Sequence, residues 1–436
     1  MLKTYLTELR RSPLLTAFPV MVAVDLAVLF GRSRYWIGVW PEASVAAQIV
    51  TLFLGPVLAG VSAWQAGRAS RAGMPEFLLA AARPAWRIEA ARLAATLTLG
   101  FLAYGIGCVV AAAVSFRDAG PGFLWPSYLL LGAATLVIFA SVGHLAGRLW
   151  PSPGFTPIVC ALGCFISMLS LPFRFNVLAG PPDTHLNPLP LAVRLFVALT
   201  LAVLAVAAPS LPRKSEREIT TRELPWRTRG VVLVSAVGAG LALTAAPAAG
   251  ELRGERPATA TTPLCERADE NAPSVCVWPE HRKYLPELTR MAQRLDVRPS
   301  RPWIRPPAEF REFGLARTRL GDPGFDIAEG HVRTAAIAMA DQVFRTSFGW
   351  CTPPRGKPEA RRAWQAIDNL HMWLEYQATG QDPDVADEGL HQSGVDTARR
   401  NAAQAVRMSP PDQEKWIAEE RGHLRENTWC EPDARF

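Results

Sequence analysis

Charge is scarce in the first part of this chain. Of its 436 residues, positions 1–248 carry 20 Lys/Arg and 10 Asp/Glu, whereas positions 249–436 carry 26 and 29. Two solvents are the simplest cause: lipid around the first part, water around the second. Catalytic signatures are also missing. There is no GxxxxGK[ST] phosphate loop, so the chain is not expected to hydrolyse nucleotide by itself. There is no HExxH, no GxSxG elbow, no CxxC and no His pair at metal-ligand spacing. These absences leave no enzyme class encoded by motif, and no cofactor or metal is expected. Glu329-Gly330-His331 and His281 are the nearest fragments of a metal site, and solvated or capping roles suffice for them. A pI near 9.2 and a net charge of +7 would suit nucleic acid, but the excess positive charge lies between apolar runs. Membrane orientation explains it, and no nucleic-acid partner is expected.

Long apolar runs are plentiful. A bilayer core about 30 Å thick needs roughly 20 apolar residues in a helix. Seven stretches qualify: Leu14–Phe30, Val45–Trp64, Leu93–Phe116, Ser127–Gly147, Gly154–Leu171, Leu191–Pro209 and Gly230–Ala248. The fifth is the shortest and is interrupted by Pro157. With the amino terminus inside, segments 1–13, 65–92, 148–153 and 210–229 are cytoplasmic and hold 15 Lys/Arg. Segments 31–44, 117–126 and 172–190 are then external and hold 4. That is the positive-inside bias. Trp36, Trp40, Trp64, Trp86, Trp125, Trp150 and Trp226 all fall at or beyond the ends of these stretches, as an aromatic belt requires.

The stretch "RTRGVVLVSAVGAGLALTAAPAAGELRGERP" at 227–257 reads like a secretory signal peptide in the middle of the chain. Six spans return the chain to the cytoplasm. The six basic residues from Arg213 to Arg229 hold that side, and the seventh apolar segment exports the remainder as a signal anchor. The expected organisation is a six-span domain at 1–212, a basic linker at 213–229, a seventh helix at 230–248 and an extracytoplasmic domain at 249–436. The fold class is an all-α polytopic membrane protein with a mainly helical soluble domain, in the plasma membrane.

Cys108, Cys160 and Cys164 sit inside apolar runs and read as small hydrophobes. Cys265, Cys276, Cys351 and Cys430 lie in the polar part. In an oxidising compartment four cysteines there are compatible with two disulfides, and three pairings exist. Cys265–Cys276 with Cys351–Cys430 is the expected one; a zinc site is the alternative. Helices are expected near Pro279–Leu295, His331–Phe348, Pro358–Thr379 with Gly380 as C-cap, Ser393–Met408 and Ser409–Asn427. Val297–Glu312 is rich in Pro and Arg and should be extended or loop.

The segment 65–92, "QAGRASRAGMPEFLLAAARPAWRIEAAR", is too long for a simple turn. Pro75 and Pro84 bracket an apolar patch at Phe77–Ala82 between basic residues. It reads either as a plain interfacial helix or as a helix that docks into a separate ATPase. Polar residues within spans are few. Asp25 lies late in the first and can reach headgroups, His144 lies near the inner end of the fourth, and Arg194 can snorkel. None is deep enough to argue a proton relay.

This layout resembles the membrane subunits of ABC-type exporters of actinobacteria: six spans, a cytoplasmic amino terminus, a long basic loop after the second span and short outer loops. Glu76-Phe77 and Arg83-Pro84 match the place where such permeases couple to their ATPase. The run Leu-Pro-Trp-Arg at 224–227, the extra span, "CVWPEHR" at 276–282 and "MSPPDQEKWIAEERGHLREN" at 408–427 are similar to a group of permease-like proteins with an appended domain. Some relatives of such tails look like degraded metallopeptidases, whose ligand pattern is missing here. The resemblance implies a cytoplasmic ATPase partner docking on Pro75, Glu76, Phe77, Leu78, Arg83 and Arg87. It further implies a homodimer or a sister permease, and a peptide, antibiotic or lipid-like substrate. The rival expectations are a membrane-anchored accessory or sensor protein with an outer ligand-binding domain, and a membrane-tethered peptidase.

Overall fold

A computed structural model describes residues 2–31, 34–71, 85–170, 177–207, 232–238, 240, 250–257, 262–296, 304–315, 324–352, 358–380, 393–425 and 430–431. The chain is mostly helical and divides into two compact units. The first is residues 1–180 with 184–254, and the second is 181–183 with 255–436.

The first unit contains α1 (Leu2–Arg10), α2 (Pro13–Gly31), α3 (Trp40–Ile49), α4 (Thr51–Arg71), α5 (Ala85–Ser115), α6 (Pro126–Leu149), α7 (Phe155–Ser170) and α8 (Pro188–Ala207). Five of its helical segments are long and apolar enough to cross a membrane: α2, the nearly continuous α3–α4 over Trp40–Arg68, then α5, α6 and α8. The fifth expected stretch forms a shorter apolar helix among the described residues. α7 has 16 residues, about 24 Å of helix against a core of about 30 Å. Its outer face is nonetheless apolar: Phe155, Ile158, Leu162, Ile166 and Leu169 are exposed, while Cys160, Cys164 and Met168 are buried. Of the seventh stretch, residues 232–238 and 240 are helical and the rest lies outside the described residues.

α4 is the centre of this unit. In the most apolar window of the α3–α4 segment 72% of residues are buried, against 22% in α2. Small residues let its neighbours close in. A Cβ on Gly143 or Gly147 of α6 would collide with the backbone carbonyls of Ala59 and Ala63 on α4. Gly60 lies against the backbone of Pro157 and the Ala161 side chain on α7. This is the small-residue pattern of close helix crossings in lipid.

The second unit holds a three-stranded sheet and five helices. β3 (Leu264–Glu266) pairs antiparallel with β4 (Ser274–Val277), which pairs parallel with β5 (Glu309–Arg311). A separate two-stranded sheet pairs β1 (Thr184–Leu186) with β2 (Arg253–Glu255), three residues each. Pro279 opens a 3-10 turn that continues into α9 (Leu285–Leu295), whose face Leu288, Met291 and Leu295 buries against β4. α10 (Val332–Phe348), α11 (Pro358–Thr379), α12 (Ser393–Arg407) and α13 (Pro410–Arg425) complete it. Trp373 and Leu370 on α11 sit in the core with Met339, Val343, Ala402 and Ile417. Gly380 ends α11 with φ 60°, the left-handed conformation that glycine adopts at little cost.

The sheet was not expected from the sequence. β4 is buried at every position, so it shows no alternation, and its neighbours have three residues each. A disulfide joins Cys265 on β3 to Cys276 on β4, which face each other in register. β6 (Trp350–Cys351) pairs with β7 (Cys430–Glu431), placing Cys351 opposite Cys430. Cys351 is disulfide-bonded.

A polar seam ties the last helices together. Asn369 Nδ2 of α11 donates to Glu420 Oε1 of α13 at 2.8 Å. Asn369 Oδ1 accepts from Gln365 Nε2 at 3.0 Å and Asn401 Nδ2 at 3.1 Å. Burial pushes the Glu420 carboxyl above its usual value, and the Asn369 hydrogen bond offsets this only in part. The folded protein therefore holds this proton to higher pH than the unfolded chain does. The stability it contributes is present below the unfolded value of about 4.5 and is lost as pH rises through the folded value. Glu420→Gln should remove that loss. The variant should melt above wild type at neutral pH, and the gap should close as pH falls toward 4.5. Parallel melting curves at every pH would contradict this.

Candidate functional site

Charged residues are rare in the first unit, yet several meet at one end of its bundle. Glu89 and Arg92 stand one turn apart near the start of α5, and His144 and Arg148 stand one turn apart at the end of α6. Glu8 lies on α1 and Arg68 on the last turns of α4. Arg92 Nη1 donates to Glu89 Oε1 at 3.1 Å, and its Nε reaches Glu8 Oε1 at 3.5 Å. Arg68 Nη2 meets Glu8 Oε2 at 3.0 Å. His144 Nε2 meets Glu89 Oε2 at 3.0 Å, and Arg148 Nη1 lies 3.6 Å from Glu89 Oε1. Next to these pairs, Gln65 Nε2 donates to Ser12 Oγ at 2.9 Å and Gln65 Oε1 accepts from Thr96 Oγ1 at 3.2 Å.

The cluster is dry at its centre. Glu89, Arg92 and His144 are 4%, 6% and 1% exposed. Local structure favours the arrangement, because Glu89 sits near the amino end of its helix and His144 and Arg148 near the carboxyl end of theirs, each complementing the helix dipole. A buried ion pair adds little net stability over an apolar substitute, but it fixes geometry, since removing one partner strands a charge. Four helices, α1, α4, α5 and α6, are pinned by one set of charges.

The segment 72–84 runs between Arg71, the last residue of α4, and Ala85, the first of α5. Both flanking helices thus carry network residues within a few positions of that segment. Pro75, Glu76, Phe77, Leu78 and Arg83 lie outside the described residues. Arg87 is on the first turn of α5, exposed, with its guanidinium 5.4 Å from the Trp86 ring centroid. Residues 65–71 and 85–92, expected within the cytoplasmic segment, are the ends of the long helices α4 and α5. Arg68, Arg92 and Arg148 are held in ion pairs with acidic side chains.

Asp25 is a correction. It is not at the surface reaching headgroups but completely buried. α2 is apolar all round, so its sequence does not say which side packs. The network escaped the sequence reading because its members are 3 to 140 residues apart. The available signal was Glu89, an acidic residue at the mouth of a long apolar run.

In the second unit, "CVWPEHR" builds a buried turn. Trp278 is fully buried and its Nε1 donates to Phe313 O at 2.9 Å. Glu312 accepts from the Trp278 backbone N at 2.9 Å through Oε2 and pairs with His281 Nδ1 at 2.6 Å through Oε1. Arg256 pairs with Glu280 at 2.8 Å, and its guanidinium lies 4.6 Å from the Trp278 ring centroid. His281 and Glu312 are 0% and 3% exposed, so this pair organises the strand-to-helix turn rather than meeting a substrate. His331 precedes α10 as its N-terminal flanking residue. Cys265, Cys276 and Glu309 approach one another closely, but the two sulfurs are joined in a disulfide and are not thiolate ligands.

Searches against protein-family models, curated proteins and solved structures find no match to this chain.

Proposed function

We propose that the chain is the permease-like subunit of an ABC-type exporter in the plasma membrane. Its amino terminus would be cytoplasmic and residues 249–436 extracytoplasmic. The observation that carries this reading is the buried charge network at the two helices that bracket residues 72–84. A partner that grips this segment pulls directly on α4 and α5. The ion pairs then oblige α1 and α6 to follow, because breaking them would strand charges away from water. That is the mechanical property a coupling site needs. The charge distribution along the chain, 15 basic residues in the inner segments against 4 in the outer, supports the orientation.

In this reading ATP hydrolysis belongs to a separate cytoplasmic ATPase that docks on Pro75, Glu76, Phe77, Leu78, Arg83 and Arg87. Two copies, or this chain with a sister permease, form the pathway for a peptide, antibiotic or lipid-like substrate. The extracytoplasmic domain would gate, receive substrate or contact a partner. The test is copurification. Full-length protein extracted from its native membrane should carry an ATPase that contains a phosphate-binding loop. Phe77→Asp with Leu78→Asp should reduce the recovered ATPase at least tenfold while the membrane subunit remains folded. Recovery of an ATPase unchanged by the double substitution would displace the docking site. Absence of any ATPase after mild crosslinking would overturn the reading.

A further inference from the structure

Asp25 lies roughly 18 Å along α2 from its first residue and roughly 9 Å from its last, inside the apolar length of the helix. Its side chain is completely buried. No side chain among the described residues hydrogen-bonds either carboxylate oxygen, and the one polar group that reaches them is the Gly107 backbone. α5 makes room for it with Gly107, where any Cβ would collide with Oδ2. Tyr104 and Cys108, on the same turn of α5, are the titratable groups close enough to feel its charge. α3 and α4 also pack on α2, and among the described residues they set no charged group against it.

A carboxylate in such a place is far costlier than a neutral acid. A metal cation would repay the cost only with a shell of oxygens, six or more for calcium. One carboxyl, a phenol and a thiol do not provide that shell. A proton needs none. α2 is also the long helix with the least of its surface buried. Pro19, six residues before Asp25, removes a backbone hydrogen bond and gives a bending point.

We propose that Asp25 is a proton-binding site occluded between α2 and α5. When the two helices pack together, the carboxylate takes a proton from water and an O–H bond forms on one oxygen. When α2 swings away, the O–H bond breaks and the proton returns to water. Each closing and opening of this helix pair thus takes up and releases one proton. The site goes beyond the transport reading and does not depend on ATPase docking.

The test reads the proton directly. Infrared difference spectra of the full-length protein in lipid vesicles, taken between acidic and alkaline pH, should contain a protonated-carboxyl C=O band. The band should be lost at alkaline pH and absent in Asp25→Asn. Spectra of wild type and variant that coincide would overturn the proposal. If the variant does not fold, N,N′-dicyclohexylcarbodiimide decides on the wild type, because this apolar reagent adds to protonated carboxyl groups in apolar surroundings. An adduct mapped to Asp25 that fades as pH rises supports the site. No adduct at any pH overturns it.

Discussion

Leucine at Gly143 or Gly147 should destabilise the folded protein sharply, and leucine at both should abolish it. Both glycines are on the face of α6 that meets α4, four residues apart, opposite Ala59 and Ala63. The atoms in the way are carbonyl groups of the α4 backbone. A flexible side chain can turn aside, but a helix backbone in mid-bundle cannot. The two helices must separate, and contact is lost along their whole length. Overpacking a core typically costs about 1–3 kcal/mol, and native proteins are stable by only about 5–15 kcal/mol. Each leucine should therefore lower the melting temperature sharply, and the double variant should not accumulate. Even Gly143→Ala should be destabilising. Gly105→Ala and Gly163→Ala are the controls, because a Cβ at either position meets nothing within 4 Å. They should be neutral or stabilising by up to about 1 kcal/mol, the helix-propensity difference. Size-exclusion profiles and thermal melts of detergent-extracted protein would separate the two groups. Normal melting of Gly143→Leu would show that α4 and α6 do not cross this closely.

The second large effect is expected at Glu89. Its carboxylate is shared by Arg92, His144 and Arg148. Glu89→Ala leaves Arg92 and His144 buried beside an empty space. Breaking a buried pair from one side costs about 3–5 kcal/mol, much of it from the stranded partner. Glu89→Gln keeps the shape and one acceptor oxygen and should cost less. His144→Ala alone should be milder than Glu89→Ala, because Arg92 and Arg148 still neutralise the carboxylate. In the double variant Glu89→Ala with His144→Ala, one stranded group has been removed, so the damage should fall short of the sum. Additive melting shifts would indicate that the two side chains do not interact, contrary to the 3.0 Å contact.

Much of this architecture is written locally. Pro358 and Gly380 mark the two ends of α11, since one suits a helix start and the other permits the left-handed exit. Apolar runs at Leu93–Phe116 and Ser127–Gly147 coincide with α5 and α6 but for Phe116, because a helix satisfies the backbone of so long an apolar run within itself. The disulfide between Cys265 and Cys276 follows from a spacing that a hairpin spans. What failed locally was decided by distant partners. β4 shows no alternation because all four of its residues are buried. Asp25 looked like a residue near a helix end, and only the fit of α2 against Gly107 shows that it is enclosed. The Glu8, Arg68, Glu89, Arg92 and His144 cluster needs four helix ends in one place, which no window of sequence contains.

The account rests on residues 72–84 facing the cytoplasm at the charged end of a membrane-embedded bundle. One engineered thiol tests it. Leu78→Cys, probed with a membrane-impermeant maleimide, should label in inside-out vesicles and stay unlabelled in intact cells. The endogenous Cys160 and Cys164 are buried in the bundle, and the unsubstituted protein supplies the background. Labelling of Leu78→Cys from outside intact cells would reverse the orientation and remove the basis for coupling to a cytoplasmic ATPase.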